Sequence, residues 1–482
     1  MRPRLRLLDD ALITRALEEA LQLLAQPGVR VGTAAARELL SAAGARVEGE
    51  VAHIPEKMVR DALATAPREF ALYTRAGEAA VRYGGDQAQF DPGSSCLNIL
   101  DPETKTPRPA ESADLVRLVQ VAEALPQFAA QATALVCNDV PSALGDLYRL
   151  FLVLLHSNKP VVTGAFSVAG LRPMLELLAA DSGSHEALRR RPRAVFDVCP
   201  SPPLYWSEFA AENLVELARA GVPAEMVAMP LAGATAPVTL IGSVVQHAAE
   251  CLSGITIHQL AQPGAPIVWG GAPAIFDMRN GTAPMGAVET AMLNLACCEV
   301  GKSLGLPTHG YLVASDSRSV DAQAGMESAT SAALGALGGI NMISGAGMLD
   351  FLACFSIEKL VLDAEAIASA QRLAAGIEVR GETLAVETFR QTGLLGNFLA
   401  LPETRARFRG EQHFPSAVIE RGGDPGAGDA CSRARARVEE LIASYEPPAL
   451  ASAVESGLMR VAEREAERAG LTTFPGVLQV HK

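Results

Sequence analysis

The feature that most constrains the fold of this chain is a regular alternation of short apolar runs and longer helical segments. From about residue 111 onward the two alternate with a spacing of roughly 30 to 45 residues, which is typical of repeated βα units. Seven runs read as strands, and an eighth, over 349–355, is a weak candidate. The seven runs span 130–136, 159–162, 194–198, 225–229, 266–269, 308–313 and 340–343.

The apolar runs favour a closed barrel over an open sheet. Continuous apolar pairs such as Val161-Val162 and Ile267-Val268 are expected of parallel strands that are buried beneath helices. A doubly wound sheet is the competing arrangement, but no G-x-G-x-x-G fingerprint follows the first predicted strand. The predicted fold class is therefore α/β, a (β/α)8 TIM barrel with an N-terminal helical extension and C-terminal helices.

The chain is expected to divide into three units. Residues 1–110 read as an N-terminal helical extension followed by a connector, and the turn formers within 86–102 predict a hairpin or extended segment there. Residues 111–380 form the predicted catalytic barrel. Residues 381–482 form a predicted C-terminal extension with charged amphipathic helices.

The charge and cysteine content exclude several classes of protein. A net charge of −13 opposes binding to nucleic acid or to an anionic membrane surface. The basic N-terminus is followed by acidic residues instead of an apolar run, so no export signal is evident, and no apolar stretch approaches the roughly 18 to 20 residues of a membrane span. Eight cysteines without a C-x-x-C pair fit a reducing compartment, so a cytoplasmic protein is expected.

In barrel enzymes the reacting groups follow the strands, at the end where eight loops meet. Both tryptophans of the chain, Trp206 and Trp269, come just after predicted strands. Aromatic faces hold quaternary ammonium ions by cation–π attraction. The eight histidines contain no H-x-x-x-H or H-E-x-x-H spacing, so we expect no metal site and no tightly bound cofactor. The absence of a G-x-S-x-G elbow and of a Walker lysine argues against common hydrolases and P-loop enzymes.

Four segments carry a resemblance to a known family. They are the continuous stretch from Met229 to Leu240, the run from Gln262 to Pro266, Ser315-Asp316-Ser317 with 321–325, and the stretch from Ile343 to Leu349. With these segments the chain resembles the trimethylamine methyltransferase family, most strongly over 225–365. The resemblance implies a (β/α)8 barrel that moves a methyl group from a methylated amine to Co(I) of a separate corrinoid protein.

The resemblance also suggests a substrate class. Archaeal trimethylamine enzymes of this family use pyrrolysine, whereas this chain contains only standard residues. Members without pyrrolysine are associated with quaternary amines such as glycine betaine. A quaternary nitrogen is already a cationic leaving group, so reduced cobalt needs only to be aligned with the methyl carbon. We therefore predict a corrinoid-dependent methyltransferase for a quaternary (or tertiary) methylated amine, acting as a homo-oligomer.

Under this hypothesis the site residues fall into two groups. Asp316, His309 and Tyr311 are the predicted catalytic residues, with His309 hydrogen-bonded to a substrate carboxylate. The predicted substrate-binding residues are Trp206, Tyr205, Trp269, Phe276, Asp139, Glu208 and Gly345. The rings would enclose the ammonium group, the acidic residues would balance its charge, and the glycine turn would supply backbone donors. Structural roles remain open, since Asp316 could cap a helix and Tyr311 or His309 could belong to the core.

One departure from the family pattern leaves alternative functions open. A late family segment tends to read Phe-Leu-x-His-x-x-Thr, and this chain has Leu401 in place of the histidine. The first alternative is a non-catalytic member that binds an amine or acts as a scaffold for a corrinoid protein. The second is a zinc-assisted methyltransferase on the same barrel.

Overall fold

The computed structural model describes residues 3–422, 426 and 428–475. Its centre is formed by eight parallel strands, each followed by a helix. The strands are β1 Gln89–Pro92, β2 Gln131–Ala132, β3 Val161–Gly164, β4 Ala194–Val198, β5 Ala224–Met226, β6 Ile267–Val268, β7 His309–Tyr311 and β8 Met342–Ala346. The helices are α1 Ser112–Ala124, α2 Gly145–His156, α3 Val168–Ser182, α4 Glu208–Ala220, α5 Leu240–Ala261, α6 Val288–Ser303, α7 Ala322–Gly338 and α8 Ile357–Ala375.

The strands close into a barrel. Parallel ladders join β2 through β6 in chain order, and a second ladder joins β7, β8 and β1. Single parallel bridges, Phe90 with Phe128 and Trp269 with Thr308, connect the two ladders at both ends. Closure leaves no unpaired sheet edge, so the predicted (β/α)8 fold class is confirmed.

The identity of one barrel strand differs from the sequence prediction. β1 lies in the segment 86–102 that was predicted to be a connector, and it precedes the predicted start of the barrel at residue 111. The sequence of β1 contains Asp91 and Pro92, whereas buried parallel strands usually read as continuous apolar runs. The sequence pattern therefore does not indicate a barrel strand there. The weak candidate over 349–355 is not a barrel strand, since Met348–Leu349 and Cys354–Phe355 form an antiparallel hairpin beyond β8. The division into three units otherwise stays a prediction.

The N-terminal extension is attached to the outer wall of the barrel. Its elements are the helices Asp10–Ala25, Ala34–Ala42 and Glu56–Thr65 and the strands Val29–Val31, Arg46–Glu48 and Val51–His53. The first helix begins where Asp9 accepts a hydrogen bond from Leu12 N, and its apolar stripe packs on α5. Val29–Val31 pairs in parallel with Tyr205–Trp206, which follows β4.

A hairpin closes the N-terminal end of the barrel. Its strands are Phe70–Tyr73 and Ala79–Tyr83. Side chains from the hairpin and from the strand starts form one apolar cluster, which contains Leu72, Val81, Tyr83, Ala130, Val162, Val195, Val268 and Met342. This plug hairpin excludes water from below, so the barrel interior can open only at the opposite end.

The C-terminal part continues with four helices, and a few shorter elements complete the fold. The four helices are α9 Val386–Thr392, α10 Pro402–Glu411, α11 Ala430–Ala443 and α12 Ser452–Arg468. The helix α11 packs on α8 and α1, and α12 packs on α3. The shorter elements are the helix His185–Arg190, the 3-10 turns Ser142–Leu144 and Phe398–Ala400, and the strands Asn98–Leu100, Pro107–Pro109, Leu231–Ala232 and Ala274–Ile275.

Among the described residues one helix, α5, is long and apolar enough to cross a membrane, and it is mostly buried as a helix of the barrel.

Candidate active site

A layer of polar side chains lies above the apolar plug inside the barrel. Side chains two positions apart on a strand point to the same face. Asp197 therefore follows Val195 into the interior, and Ser344 follows Met342. The polar layer consists of Asp91 on β1, Asp197 on β4, Glu225 on β5, His309 on β7 and Ser344 on β8. We call these five residues the polar layer.

Hydrogen bonds connect three strands of this layer and join a fourth to the plug hairpin. The Ser344 hydroxyl donates to Asp91 Oδ1 over 2.7 Å, and His309 Nε2 lies 3.0 Å from Ser344 Oγ. The Tyr83 hydroxyl reaches up from the plug hairpin and donates to Glu225 Oε2 over 2.9 Å. These bonds join the neighbouring strands β1, β7 and β8 and connect β5 to the plug hairpin, so four of the five side chains are held in fixed positions.

His309 is held as a neutral imidazole. Burial lowers the pKa of His309 to about 3, so the ring carries no charge at neutral pH. Since the Ser344 hydroxyl donates to Asp91, Nε2 of His309 is the donor to Ser344, and Nδ1 keeps a lone pair. Nδ1 lies 3.4 Å from Glu225 Oε1 without hydrogen-bond alignment. A Cβ at Gly270 would lie 2.7 Å from the His309 Cβ, so this glycine makes room for the ring.

The three carboxyl groups of the polar layer favour their protonated forms. Burial raises the pKa of Asp197 to about 7. Burial also raises the pKa of Glu225 well above its usual range, and repulsion from Asp197 and Asp91 raises it further. The pKa of Asp91 is likewise raised by burial, with partial relief from the Ser344 hydrogen bond. Among the described residues no lysine or arginine forms an ion pair with any of the three.

The polar layer contains buried polar atoms that lack protein partners, and we infer from Asp197 and Cys199 that it borders an internal space, which we call the chamber. Four buried atoms have no hydrogen-bond partner among the described residues, namely Asp91 Oδ2, Asp197 Oδ1, Glu225 Oε1 and His309 Nδ1. Asp197 and Cys199 lie deep inside the protein and yet keep accessible surface, so they line an internal space. Unpartnered buried acceptors are costly, and a cationic ligand would compensate them.

A buried arginine lies at the C-terminal ends of β2 and β3, on the rim of the barrel. Nη1 of Arg149 donates to Ser95 Oγ and to the carbonyl oxygen of Thr133, each over 3.0 Å. Nη2 of Arg149 donates to Asp146 Oδ1 over 3.0 Å. The ring of Phe166 covers the guanidinium at 5.1 Å and is itself 59% exposed. The rim therefore combines a fixed positive charge with an exposed aromatic ring.

Tyr311 closes the other side of the chamber. Its hydroxyl accepts a 2.8 Å hydrogen bond from Ser94 N and lies 3.1 Å from the Met348 sulfur. Its ring meets His309 edge-on, with 6.2 Å between the centroids. Of the ten site residues predicted from the sequence, His309 and Tyr311 are brought together in the barrel interior.

The two tryptophans lie outside the barrel wall. Both side chains are fully buried. Trp206 Nε1 donates to Ser253 Oγ on α5 over 2.9 Å, and Trp269 Nε1 donates to the Cys297 carbonyl oxygen on α6 over 2.8 Å. Trp269 follows the inward-facing Val268 by one position, so its ring points to the helices. In this structure the two rings pack between barrel and helices and do not enclose a common space.

Four further predicted binding residues also lie away from the polar layer. Tyr205 pairs with the N-terminal extension, and the Arg30 guanidinium lies 4.4 Å above its ring. Glu208 is exposed at the start of α4. Asp139 is exposed and accepts a hydrogen bond from Ser112 N at the start of α1. Phe276 is half-buried on the loop after β6.

The remaining predicted residues, Asp316 and Gly345, shape the loops of the barrel mouth. Asp316 accepts hydrogen bonds from Met285 N and Gly286 N over 2.7 and 3.0 Å, and burial raises its pKa to about 6. Gly345 has a φ of +122°, and a Cβ there would lie 2.0 Å from the Leu312 carbonyl oxygen. The atoms next to Asp316 and Gly345 in these contacts therefore belong to the protein backbone.

Two other observations bear on the sequence predictions. Leu401, which replaces the family histidine, precedes α10 in the C-terminal part and contributes nothing to the polar layer. Over residues 3–422, 426 and 428–475, no group of three or more histidine, cysteine, aspartate or glutamate side chains is placed to hold a metal ion.

Sequence reasoning missed Asp91, Asp197 and Glu225, although a carboxylate within an apolar strand is a signal that could have revealed them.

Comparisons with known proteins agree with the resemblance. A family model described as trimethylamine methyltransferase (MTTB) matches residues 1–469. Trimethylamine methyltransferase MttB of Desulfitobacterium hafniense (strain DSM 10664 / DCB-2) is 30% identical over 94% of this chain and 92% of its own length. Glycine betaine methyltransferase of D. hafniense (strain Y51) is 27% identical over 96% of this chain and 98% of its own length.

A solved structure agrees on the fold. The monomethylamine methyltransferase (MtmB) of Methanosarcina barkeri superposes with a TM-score of 0.51 at 12% identity, over 91% of this chain and 89% of that one. At this identity the likeness concerns the fold alone. The family model and the relatives, in contrast, cover nearly the whole sequence. The chain therefore belongs to the trimethylamine methyltransferase family and is a methyltransferase.

Proposed function

We propose that this methyltransferase removes a methyl group from a quaternary ammonium compound of the betaine type and passes it to Co(I) of a separate corrinoid protein. The observation that carries the proposal is the polar layer, in which three carboxyl groups converge without a lysine or arginine partner among the described residues. Such a chamber is complementary to a ligand with a permanent positive charge.

The carboxyl groups of the chamber and a bound cation would stabilise one another. A quaternary ammonium ion among Asp91, Asp197 and Glu225 would stabilise their ionised forms and lower their raised pKa values. Neutral His309 adds no competing positive charge. The plug hairpin excludes water from below, so attraction between the cation and the carboxylates is weakly screened. These groups bind and orient the substrate.

The rim also carries a positive charge that would attract the carboxylate end of a betaine. Arg149 carries a buried positive charge, although Asp146 offsets part of it. The four hydrogen bonds of Arg149 are directed to protein atoms, so the guanidinium would attract a substrate carboxylate by charge and hold it near the mouth. A zwitterion would then lie with its ammonium group beside the polar layer and its carboxylate toward Arg149, with one methyl group facing the open end of the barrel, from which the corrinoid protein must approach.

Methyl transfer from such a substrate needs no proton. Co(I) supplies the electron pair of the new carbon–cobalt bond, and the electron pair of the broken carbon–nitrogen bond stays on nitrogen. The leaving amine is therefore neutral. Once its charge is gone, the carboxylates no longer hold it, which assists release. A neutral tertiary amine would first need protonation or covalent activation before its nitrogen could leave with the electron pair. In this scheme His309 and Tyr311 act as positioning groups at the chamber wall, which replaces their predicted catalytic roles and the predicted hydrogen bond from His309 to a substrate carboxylate.

The test is turnover with a panel of methylated amines. The purified protein is mixed with a reduced corrinoid protein, and methylation of cobalt is followed by its absorption spectrum. Glycine betaine and related quaternary amines should be demethylated, whereas trimethylamine and dimethylamine should not. Turnover with tertiary amines alone would overturn the substrate proposal. Amine binding without any cobalt methylation would favour the non-catalytic alternative.

A further inference from the structure

A buried ion pair lies outside the barrel wall, behind the chain segments that follow β7 and β8. Lys359 and Asp363 are one turn apart on α8, and Lys359 Nζ donates to Asp363 Oδ2 over 2.6 Å. The two side chains are only 1% and 3% exposed. Burying two charges costs about as much free energy as their attraction returns, so an apolar pair would stabilise the fold equally well. The bonds that the pair makes to its surroundings indicate what else it does.

The pair holds the backbone just beyond two neighbouring strands of the barrel. Lys359 Nζ donates to the Val313 carbonyl oxygen over 3.0 Å, two residues after the end of β7. Asp363 Oδ2 accepts a 2.7 Å hydrogen bond from Gly347 N, which directly follows β8. Two apolar side chains could not make either bond. The ion pair therefore fixes the chain ends of β7 and β8 against α8.

One of the two fixed positions has a strained backbone. Val313 has a φ of +63°, in the left-handed region that a β-branched residue adopts only under strain. Its N–H donates to Ser331 Oγ over 3.0 Å, and its carbonyl oxygen accepts a second bond from Ser328 Oγ over 3.1 Å. Lys359 Nζ also donates to Ser328 Oγ over 2.8 Å. Strain of this kind persists only where several contacts enforce it, and Lys359 takes part in two of them.

The fixed positions are adjacent to the wall of the chamber. Tyr311 precedes Val313 by two residues, and Met348 directly follows Gly347. The Tyr311 hydroxyl lies 3.1 Å from the Met348 sulfur. Ser315 N donates to the Met348 carbonyl oxygen over 3.1 Å, so the two segments are also joined to one another. A shift of the backbone at Val313 or Gly347 would therefore move the side of the chamber that Tyr311 closes.

We infer that Lys359 and Asp363 are positioning residues for methyl transfer, which hold Tyr311 and Met348 so that the chamber keeps the methyl group aligned with its acceptor. The inference rests on the proposed function. Where no proton is transferred, alignment of the methyl carbon is a main contribution of the protein. The hydrogen bonds of the polar layer do not involve either residue of the pair. Loss of the pair should therefore lower kcat and leave the affinity for the cation nearly unchanged.

The first test replaces the pair by apolar side chains. Lys359→Met/Asp363→Leu leaves no unpaired charge in the core, so the fold should be kept. With glycine betaine and a reduced corrinoid protein, kcat should fall by about 10-fold or more and KM should stay within about 3-fold. Ile367→Ala is the matched control, because Ile367 is buried one turn beyond Asp363 on the same face of α8. It should lower the melting temperature and keep kcat within about 2-fold. An unchanged kcat in the double variant, an effect confined to KM, or an equal loss of kcat in Ile367→Ala would each overturn the inference.

Two milder variants retain the ion pair or its shape. Ser328→Ala removes one bond to the Val313 carbonyl oxygen and one acceptor of Lys359, so kcat should fall by roughly 3-fold to 10-fold with little change in KM. Asp363→Asn keeps an oxygen that can accept from Gly347 N, so it should retain kcat within about 3-fold of the wild type. A wild-type kcat in Ser328→Ala together with a large loss in Asp363→Asn would contradict a role that acts through these bonds.

A further measurement needs no turnover. Hydrogen exchange followed by mass spectrometry should show the segments 311–317 and 345–349 exchanging about 10-fold faster in the double variant, with β4 and β5 unchanged. Unchanged exchange in the two segments would overturn the inference even if glycine betaine is demethylated. If the wild type demethylates no amine but the exchange changes as expected, the proposed function fails, whereas the ion pair still holds this side of the chamber.

Discussion

The Tyr83 hydroxyl donates a 2.9 Å hydrogen bond to Glu225 Oε2, although the two residues are 142 positions apart in the chain. Tyr83 belongs to the plug hairpin, where its ring stacks on Phe70 with 4.7 Å between the centroids. Glu225 belongs to β5 and to the polar layer. The hairpin therefore closes the barrel and also fixes one of the carboxyl groups that face the chamber.

Removing the Tyr83 hydroxyl should lower the stability of the folded protein. In Tyr83→Phe the buried Glu225 Oε2 loses its donor, which should lower the free energy of unfolding by about 1 to 3 kcal/mol. Urea titration followed by circular dichroism measures the change. Tyr73→Phe removes a hydroxyl from the half-buried Tyr73 of the same hairpin and should cost less than about 0.5 kcal/mol. Equal losses in the two variants would mean that the Glu225 contact does not stabilise the fold.

The carboxyl groups of the polar layer should control substrate affinity. Asp197→Asn keeps the shape of the side chain and removes its charge. Loss of one charge-assisted contact to the cation should raise the KM for a quaternary amine by roughly 10-fold to 100-fold, equivalent to about 1.5 to 3 kcal/mol. Asp139→Asn is the comparison variant, because Asp139 is exposed at the start of α1 and should leave KM within about 2-fold. Similar KM values for Asp197→Asn and the wild type would contradict the proposed site.

The sequence could predict the barrel because the alternation of strands and helices is written along the chain. It could not predict the polar layer, because barrel enzymes usually carry their reacting groups on the loops after the strands, whereas Asp91, Asp197 and Glu225 lie within strands. The structure places the predicted aromatic rings away from the polar layer for a related reason. A ring one position after an inward residue points outward, and the inward register of β6 cannot be read from its two apolar residues.

Substituting the two tryptophans tests whether their rings stabilise the fold or bind the substrate. Trp269→Phe removes the hydrogen bond to the Cys297 carbonyl oxygen and part of a buried ring, so thermal unfolding should show a loss of about 1 to 3 kcal/mol. The KM for a quaternary amine should change by less than about 2-fold, since the ring lies outside the barrel wall. The same pattern is expected for Trp206→Phe. A 10-fold rise in KM without loss of stability would restore the sequence-predicted role of these rings.

Stability should depend on pH through Asp197. Burial raises its pKa from the ordinary value of 3.8 to about 7, so the folded state favours the protonated carboxyl. The stabilisation from this proton is complete below pH 3.8 and is lost as the pH rises through about 7. The wild type should therefore lose stability between about pH 3.8 and pH 7 relative to Asp197→Asn, by on the order of 4 kcal/mol for a shift of this size. Melting curves across this range measure the difference, and parallel curves for the two proteins would contradict it.

Gly345 should be irreplaceable for a backbone reason and not because it binds substrate. A Cβ at this position would lie 2.0 Å from the Leu312 carbonyl oxygen, and the φ of +122° is unfavourable for any other residue. Gly345→Ala should therefore lower stability by about 3 kcal/mol or more, measured as soluble yield and melting temperature. Gly325→Ala is the matched control, because a Cβ there meets nothing within 4 Å on α7 and should raise stability by about 0.5 to 1 kcal/mol. If Gly345→Ala instead kept wild-type stability and lost only amine binding, the glycine would have the ligand role that the sequence suggested from its glycine turn after the predicted strand over 340–343.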